Sequence, residues 1–462
     1  MTSSLPKAPW GVLETALRLA KAPIKTLDQA KRSVNGNYIL PSVWGPAYVI
    51  CEKDVVDTLS KELNWNIVQK DPVTEDSPDP LKQLGGDFNV TSDGYFHKHF
   101  RDTLRNQFSR YRLDDYAEVL IKSFDYFTKD WEQQKAIEFS QKIGDITLHV
   151  ICKGILDIDF SIEEKIHIRK TINRVYTLET QYIILGSIAT SVLSPWAFGY
   201  RRMANKMRNI FDSKIDGVAQ CPFSKSYIKD FIKKEQNTRS PVVDIGRKKI
   251  IDDLLGLTVA GLDTVNVATT WAMRILIERP DVVEKIRAEA EVAKKSSVDN
   301  NIDYKMIPYA RSVFLETLRL YPPFPLIIKQ TVDEMVLGST LIPSKSWVFF
   351  LAYSMHRDSR WFTDPDEFIP ERWHGNEWGL EEAAFLPFGA GIHRCQGWEL
   401  ALIEGSLLIA LIYNKYDVEP VKKLGNYNVA YIPYKYKINL CVKGGLPLRF
   451  RRRQHPTSRG TT

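Results

Sequence analysis

One cysteine of five stands in a setting suited to an anion. Residues 385–400 read FLPFGAGIHRCQGWEL. A glycine-rich, turn-prone segment carries Cys395 straight into an apolar run, Trp398–Tyr413, that reads as a helix. The spacing puts Cys395 at or just before the start of that helix. Free backbone N–H groups and the helix dipole there favour a thiolate. Gly389, Gly391 and Gly397 permit tight turns and the close approach of a flat ligand, and Arg394 and His393 add positive charge. Most single cysteines are buried and inert, so chemistry at Cys395 depends on what else converges on it.

Other clusters could do so. Ala260-Gly261-Leu262-Asp263-Thr264 lies inside a long helical pattern, Arg247–Glu278. Gly, Asp and Thr are poor helix formers, so the stretch predicts a local widening of the helix, a feature that often marks a site. An acid beside an alcohol in an apolar helix suits proton delivery without flooding a pocket. Glu316 and Arg319 stand three apart on one helix face, the spacing of an ordinary ion pair, and Leu320-Tyr321-Pro322-Pro323 then ends that helix. Further on come His356-Arg357-Asp358 and Phe368-Ile369-Pro370-Glu371-Arg372-Trp373. His97 and Arg101, four apart, share a helix face and offer fixed positive charge that matches a carboxylate.

These candidates call for a mostly helical scaffold. Asp114–Lys135, Ile143–Leu156, Ser161–Leu178, Arg247–Glu278 and Val282–Lys295 carry apolar residues at three- and four-residue spacing. Pro280 marks a helix stop after Glu278-Arg279. Strand-like runs are fewer: Trp347–Phe350, Tyr436–Val442 and one near Tyr48–Cys51. No repeat or low-complexity linker divides the chain, so residues 1–462 read as a single domain. Residues 1–40 form a lead-in and 446–462 a basic tail around Arg449-Phe450-Arg451-Arg452-Arg453, a charge run that reads as a solvated end.

Composition narrows the classes. Hydrophobic content of 44% and charged content of 26% are ordinary for a globular protein. The net charge of +7 is mild and spread along the chain, which argues against a nucleic-acid partner. Five widely spaced cysteines form neither a disulfide framework nor a thiolate zinc cluster, so a reducing, intracellular compartment is expected. The N-terminus has no signal pattern and lacks the roughly 20 apolar residues of a membrane span. The uncharged stretch 182–200 contains Ser187, Thr190, Ser191, Ser194 and Pro195. It reads as buried helix plus loop, with a surface that dips into a membrane or guards an entrance as the sharper reading.

The motifs together resemble a known family. Phe388, Gly391, Cys395 and Gly397 fit F-x-x-G-x-x-x-C-x-G at every fixed position, a pattern similar to the heme-binding loop of the cytochrome P450 family. His393 stands where the family favours Arg. The resemblance implies that Cys395 is the axial ligand of a heme iron, that His393 bonds a propionate and that Phe388 packs near the thiolate. It makes Glu316, Arg319 and Arg372 a buried charge triad that fixes the cysteine loop. The stretch 260–264 resembles the family's oxygen-binding motif, with Val265 in place of the usual Thr or Ser. By that likeness Thr264 hydrogen-bonds dioxygen and Asp263 relays protons. His97, Arg101 and Lys329 would reach the propionates, Lys329 without the fork of an Arg. The likeness covers roughly residues 40–445.

The fold implied is mainly α with a minor β portion, with heme b buried between a long central helix and the cysteine loop. The activity implied is a monooxygenase that hydroxylates or epoxidises a lipophilic small molecule of terpenoid, steroid, fatty acid or polyketide type. A thiolate ligand favours O–O cleavage. No Rossmann-like glycine fingerprint stands in context, so electrons are expected from a separate NADPH-cytochrome P450 reductase or ferredoxin-type partner. Substrate contacts are expected from 71–95, 182–200, 254–257, 324–328 and 427–434. Other outcomes are a non-oxygenating enzyme of the same fold (peroxide rearrangement or oxidative coupling) and a heme-binding sensor without turnover. Location is expected to be cytoplasmic or peripheral on the endoplasmic reticulum membrane.

Overall fold

The structure, a computed structural model, describes residues 5–34, 36–42, 45–52, 79–88, 90–92, 94–185, 197–222, 224–237, 246–297, 299–331, 333–337, 340–376 and 384–454. The described α-helices are α1 Val12–Lys21, α2 Pro23–Val34, α3 Pro80–Gly85, α4 Gly94–Leu104, α5 Arg110–Phe127, α6 Phe139–Ile151 and α7 Ile162–Leu185. They continue as α8 Tyr200–Gln220, α9 Tyr227–Asn237, α10 Gly246–Leu276, α11 Pro280–Lys295, α12 Pro308–Leu320, α13 Ala352–Met355 and α14 Trp398–Lys415. One sheet has the order β1-β2-β7-β4, from Tyr38–Ser42, Gly45–Ile50, Trp347–Phe350 and Ile327–Gln330; only the β2–β7 pairing is parallel. Another joins β3 Ile137–Glu138, β11 Pro447–Arg452 and β8 Tyr416–Pro420. Hairpins β5–β6 (Met335–Leu337, Thr340–Ile342) and β9–β10 (Tyr434–Lys437, Asn439–Val442) complete the set.

Helix α10 is the axis of the molecule because it is apolar on nearly every side. Leu254, Leu255, Val259, Leu262, Val265, Ala268, Trp271, Ala272 and Met273 are all buried. A helix apolar all round belongs inside a core. Helix α6 packs along it, and Gly261 permits the close approach: a Cβ there would stand 2.7 Å from Ile151 Cδ1. Trp271 stacks on Tyr321, with ring centroids 3.6 Å apart, which ties α10 to the end of α12. Helix α14 is also apolar and buried, and its Gly405 lies directly under the ring of Phe314 on α12.

Several expectations change. The helix does not widen at 260–264: α10 is α-helical throughout, because Gly261 is explained by packing against Ile151 and the Thr264 hydroxyl bonds Ala260 O at 2.9 Å within the helix. A wide π turn lies instead at Cys152–Leu156, after α6. The strand expected over 436–442 is a hairpin that turns at Ile438, whose φ is +60°. The basic segment is not a free end over 447–452: Leu448 and Phe450 are buried while Arg449 and Arg451 are exposed, the period-two pattern of a strand, and β11 is the middle strand of its sheet. Residues 71–78, 186–196 and 455–462 of the expected substrate loops and tail lie outside the described residues.

The helix glycines predict opposite outcomes for one substitution. Gly405→Ala forces a methyl to within 2.2–2.4 Å of the Phe314 ring and should destabilise by about 1–3 kcal/mol. Gly217→Ala, exposed on α8 with nothing within 4 Å, should stabilise by up to about 1 kcal/mol. Urea unfolding of the two variants checks both signs.

Candidate active site

The site rests on a buried carboxylate. Glu316 Oε1 accepts from Arg319 Nη2 at 2.8 Å, Arg372 Nε at 3.0 Å and the Ile369 N–H at 2.9 Å. Its Oε2 accepts from Arg319 Nε at 2.9 Å and the Trp373 indole N–H at 3.0 Å. Arg319 also donates to the carbonyls of His356, Pro365 and Glu367. Glu316 and Arg319 are fully buried. The three charges of the expected triad therefore meet in space, and Trp373 joins them. No pattern of spacing marks an indole as a carboxylate donor.

From this cluster a single imidazole reaches the cysteine loop. His356 Nδ1 lies 3.1 Å from Arg319 O, and the Leu386 N–H donates to His356 Nε2 at 2.8 Å. Nε2 must then be an acceptor, so the ring is neutral with its proton on Nδ1. Burial, followed by the Arg319 charge, pushes its pKa down to about 3. Beyond Leu386 the chain turns on itself. Gly389 N–H bonds Leu386 O at 3.2 Å, and Gly389 and Gly391 take φ of +68° and +70°. Cys395 N–H closes the loop on Phe388 O at 2.8 Å. Three residues later α14 begins.

Cys395 keeps accessible surface, yet burial is the largest influence on its thiol. Burial pushes the thiol pKa up, opposed by the Gly397 N–H and the guanidiniums of Arg101 and Arg394. The helix start thus favours a thiolate as expected, but desolvation outweighs it. Arg101 donates to Arg394 O at 2.8 Å, and Gln396 Nε2 donates back to Arg101 O at 2.5 Å. His97, on α4 with Arg101, sets its ring 4.1 Å from that of His393. The structure thus gathers His97, Arg101, His393 and Arg394 around the cysteine. Phe388, half-buried, packs on the core, and Gly397 caps α14. Lys329 lies on β4, paired with Val348 of β7.

A further accessible surface lies on α10. Ala260 is exposed although Val259 and Leu262 beside it are buried, so an opening abuts the helix there. Thr264 follows one turn later. Its hydroxyl gives its proton to Ala260 O, which leaves oxygen lone pairs free to accept. Asp263 has its pKa raised by burial, opposed by the Asn266 side chain and, at longer range, Arg169 and Lys437. Asn266, one turn along α10, and Arg169 and Lys437 were not foreseen, the latter two because α7 and β9 are distant in sequence.

Comparison with known proteins follows from this geometry. The family model described as Cytochrome P450 matches residues 16–438. The chain belongs to the cytochrome P450 family. Among curated relatives it is 24% identical over 436 residues to cyclooctat-9-en-7-ol 5-monooxygenase of Streptomyces melanosporofaciens, covering 91% of this chain and 92% of that one. Cyclooctatin synthase of the same organism is 25% identical over 418 residues, covering 88% of each. The solved heme domain of another cytochrome P450 shares the fold with a TM-score of 0.78, at 19% identity over 98% of each chain.

As a cytochrome P450 monooxygenase, the protein takes heme, and the residues present fit it. A thiol that burial holds protonated, still accessible and ringed by partial positive charge, is completed by a metal cation that deprotonates it outright. The clustered His and Arg side chains match the acidic groups that heme carries.

The neutral imidazole gives the fold an acid limit. In the unfolded chain His356 takes up a proton near pH 6.5, whereas the folded ring refuses it down to about 3. Stability should therefore fall as pH drops below about 6.5, since the unfolded state then binds the extra proton. His356→Gln, which keeps an acceptor for Leu386, should show a smaller loss of thermal midpoint between pH 7 and pH 5 than the unaltered protein.

Proposed function

We propose that the protein hydroxylates or epoxidises a lipophilic, terpenoid-type small molecule, with Cys395 as the residue that would bind its heme iron. The observation that carries this reading is the accessible surface of Cys395 at the end of a loop braced from Glu316. The exposed Ala260 on α10 is assigned to the wall that faces it. The two relatives named above support the substrate class, since one acts on an unsaturated cyclic alcohol by its name.

Heme, when bound, supplies dioxygen activation and the path for electrons. The chain supplies the rest. Cys395 Sγ would bind the iron. Arg101, His97, His393 and, from β4, Lys329 would hold the propionates, and Gly391 and Gly397 would leave room for the ring. Thr264 Oγ1 accepts and positions a hydrogen bond in the cavity. Asp263 holds a proton at its carboxylate and moves it inward, aided by the raised pKa.

Electrons come from a separate acidic partner that docks on the basic face near Arg394, an NADPH-dependent reductase or a ferredoxin-type protein. Among the described residues no helix is long and apolar enough to cross a membrane. Leu13 and Leu17 on α1, 75% and 65% exposed, and Phe198, 85% exposed, support peripheral contact with a membrane surface.

Carbon monoxide added to the reduced protein should give a strongly red-shifted Soret band of thiolate type. Cys395→Ser should abolish that band; a band unchanged in the variant refutes the assignment. Asp263→Asn should keep the band but slow oxygen-dependent product formation on the order of 10²-fold, the usual contribution of a positioned proton donor.

A further inference from the structure

The basic run near the C-terminus has no part in the oxygenase site, yet it borders a cavity. A pocket of about 280 Å³ lies among the C-terminal ends of α5, α11 and α14 and the end of β11. Its walls carry Lys294, Lys415, Arg452 and Arg453, against the single carboxylate of Asp125. Asn300, Asn301 and Asn414 add amide groups.

Two of the four cations are already engaged. Lys415 Nζ bonds Asp125 Oδ1 at 2.8 Å and Thr128 Oγ1 at 3.1 Å. Arg453 pairs with Glu291 at 3.4 Å and reaches the carbonyls of Tyr413 and Asn414 at the end of α14. Such cations neutralise helix C-termini. Lys294 and Arg452 have no side-chain partner among the described residues. Two uncompensated cations on one cavity wall call for about two negative charges.

A second observation concerns Asn414. It is 6% exposed, lines the pocket, and its side-chain N–H₂ has no hydrogen-bond partner among the described residues. A buried donor left unpaired carries a free-energy cost that a ligand acceptor would remove.

We propose that this pocket binds a small phosphate monoester through Lys294, Arg452 and the Asn414 amide. Its volume sits at the small end of ligand cavities, enough for a phosphate with a short organic body. The site is separate from the oxygenase centre. Helix α14 has 18 residues, so its C-terminal end lies about 27 Å from the end that follows Cys395.

Isothermal titration of the holoprotein with glycerol 3-phosphate is the test. The expected result is saturable binding of one equivalent. Lys294→Gln with Arg452→Gln should weaken it by about tenfold or more, as loss of charge-assisted bonds requires. Lys295→Gln with Arg451→Gln removes the same charge from neighbouring exposed positions outside the pocket and should leave binding unchanged. Absence of saturable binding, or equal weakening in both double variants, overturns the proposal, the latter by showing diffuse surface attraction only.

Discussion

Arg319 has five N–H groups, and the fold gives each an acceptor: both oxygens of Glu316 and the carbonyls of His356, Pro365 and Glu367. Glu316 in turn collects the Ile369 N–H, Arg372 and Trp373. The segment 356–373 has little regular secondary structure, so its backbone groups need other partners. The ion pair provides them. Its net contribution to stability need not be large, because desolvating two charges offsets much of their attraction. What it fixes is geometry: removing either charge leaves the other buried and uncompensated, and an irregular segment loses its common anchor.

His356 carries that constraint onward. Its two ring nitrogens hold opposite roles, one toward Arg319 O and one toward Leu386 N–H, so the link exists only in one tautomer of the neutral ring. The loop that follows then needs little more than its own turns to deliver Cys395 to the start of α14. The electrostatics there are deliberately incomplete in the protein alone. One backbone N–H and two guanidiniums favour the thiolate, and burial outweighs them. A cation at the sulfur tips the balance, which ties ionisation of the ligand to occupation of the site.

Much of this was legible in the sequence, for local reasons. The cysteine loop, the Glu316–Arg319 spacing and the long apolar helix are short-range patterns, and α10 and α14 lie within two residues of their expected ends. Trp347–Phe350 is recovered as β7. The hairpin at Ile438 was missed because a β-branched residue seldom adopts positive φ, so nothing there signals a turn. The basic run was misread because its net charge hid the alternation of Leu448 and Phe450 with arginines. The role of His356 depends on partners 37 residues before it and 30 after it, beyond any local pattern.

Helix α10 shows how a core element can carry polar groups without being distorted by them. Thr258 bonds Leu254 O and Thr264 bonds Ala260 O, each four residues back along the same helix. At its start, Asp252 pairs with Arg208 and Asp253 with Lys249, so both carboxylates meet a cation directly. Asp263 differs. Among the described residues no cation stands within ion-pair distance of it, and Arg169, its nearest basic influence from α7, is engaged by Asp145. Burial raises its pKa, and only the Asn266 side chain and charges at longer range oppose that shift. The same helix therefore contains acids held in direct ion pairs and one acid without such a pair, and the difference lies in where cations are placed rather than in the helix itself.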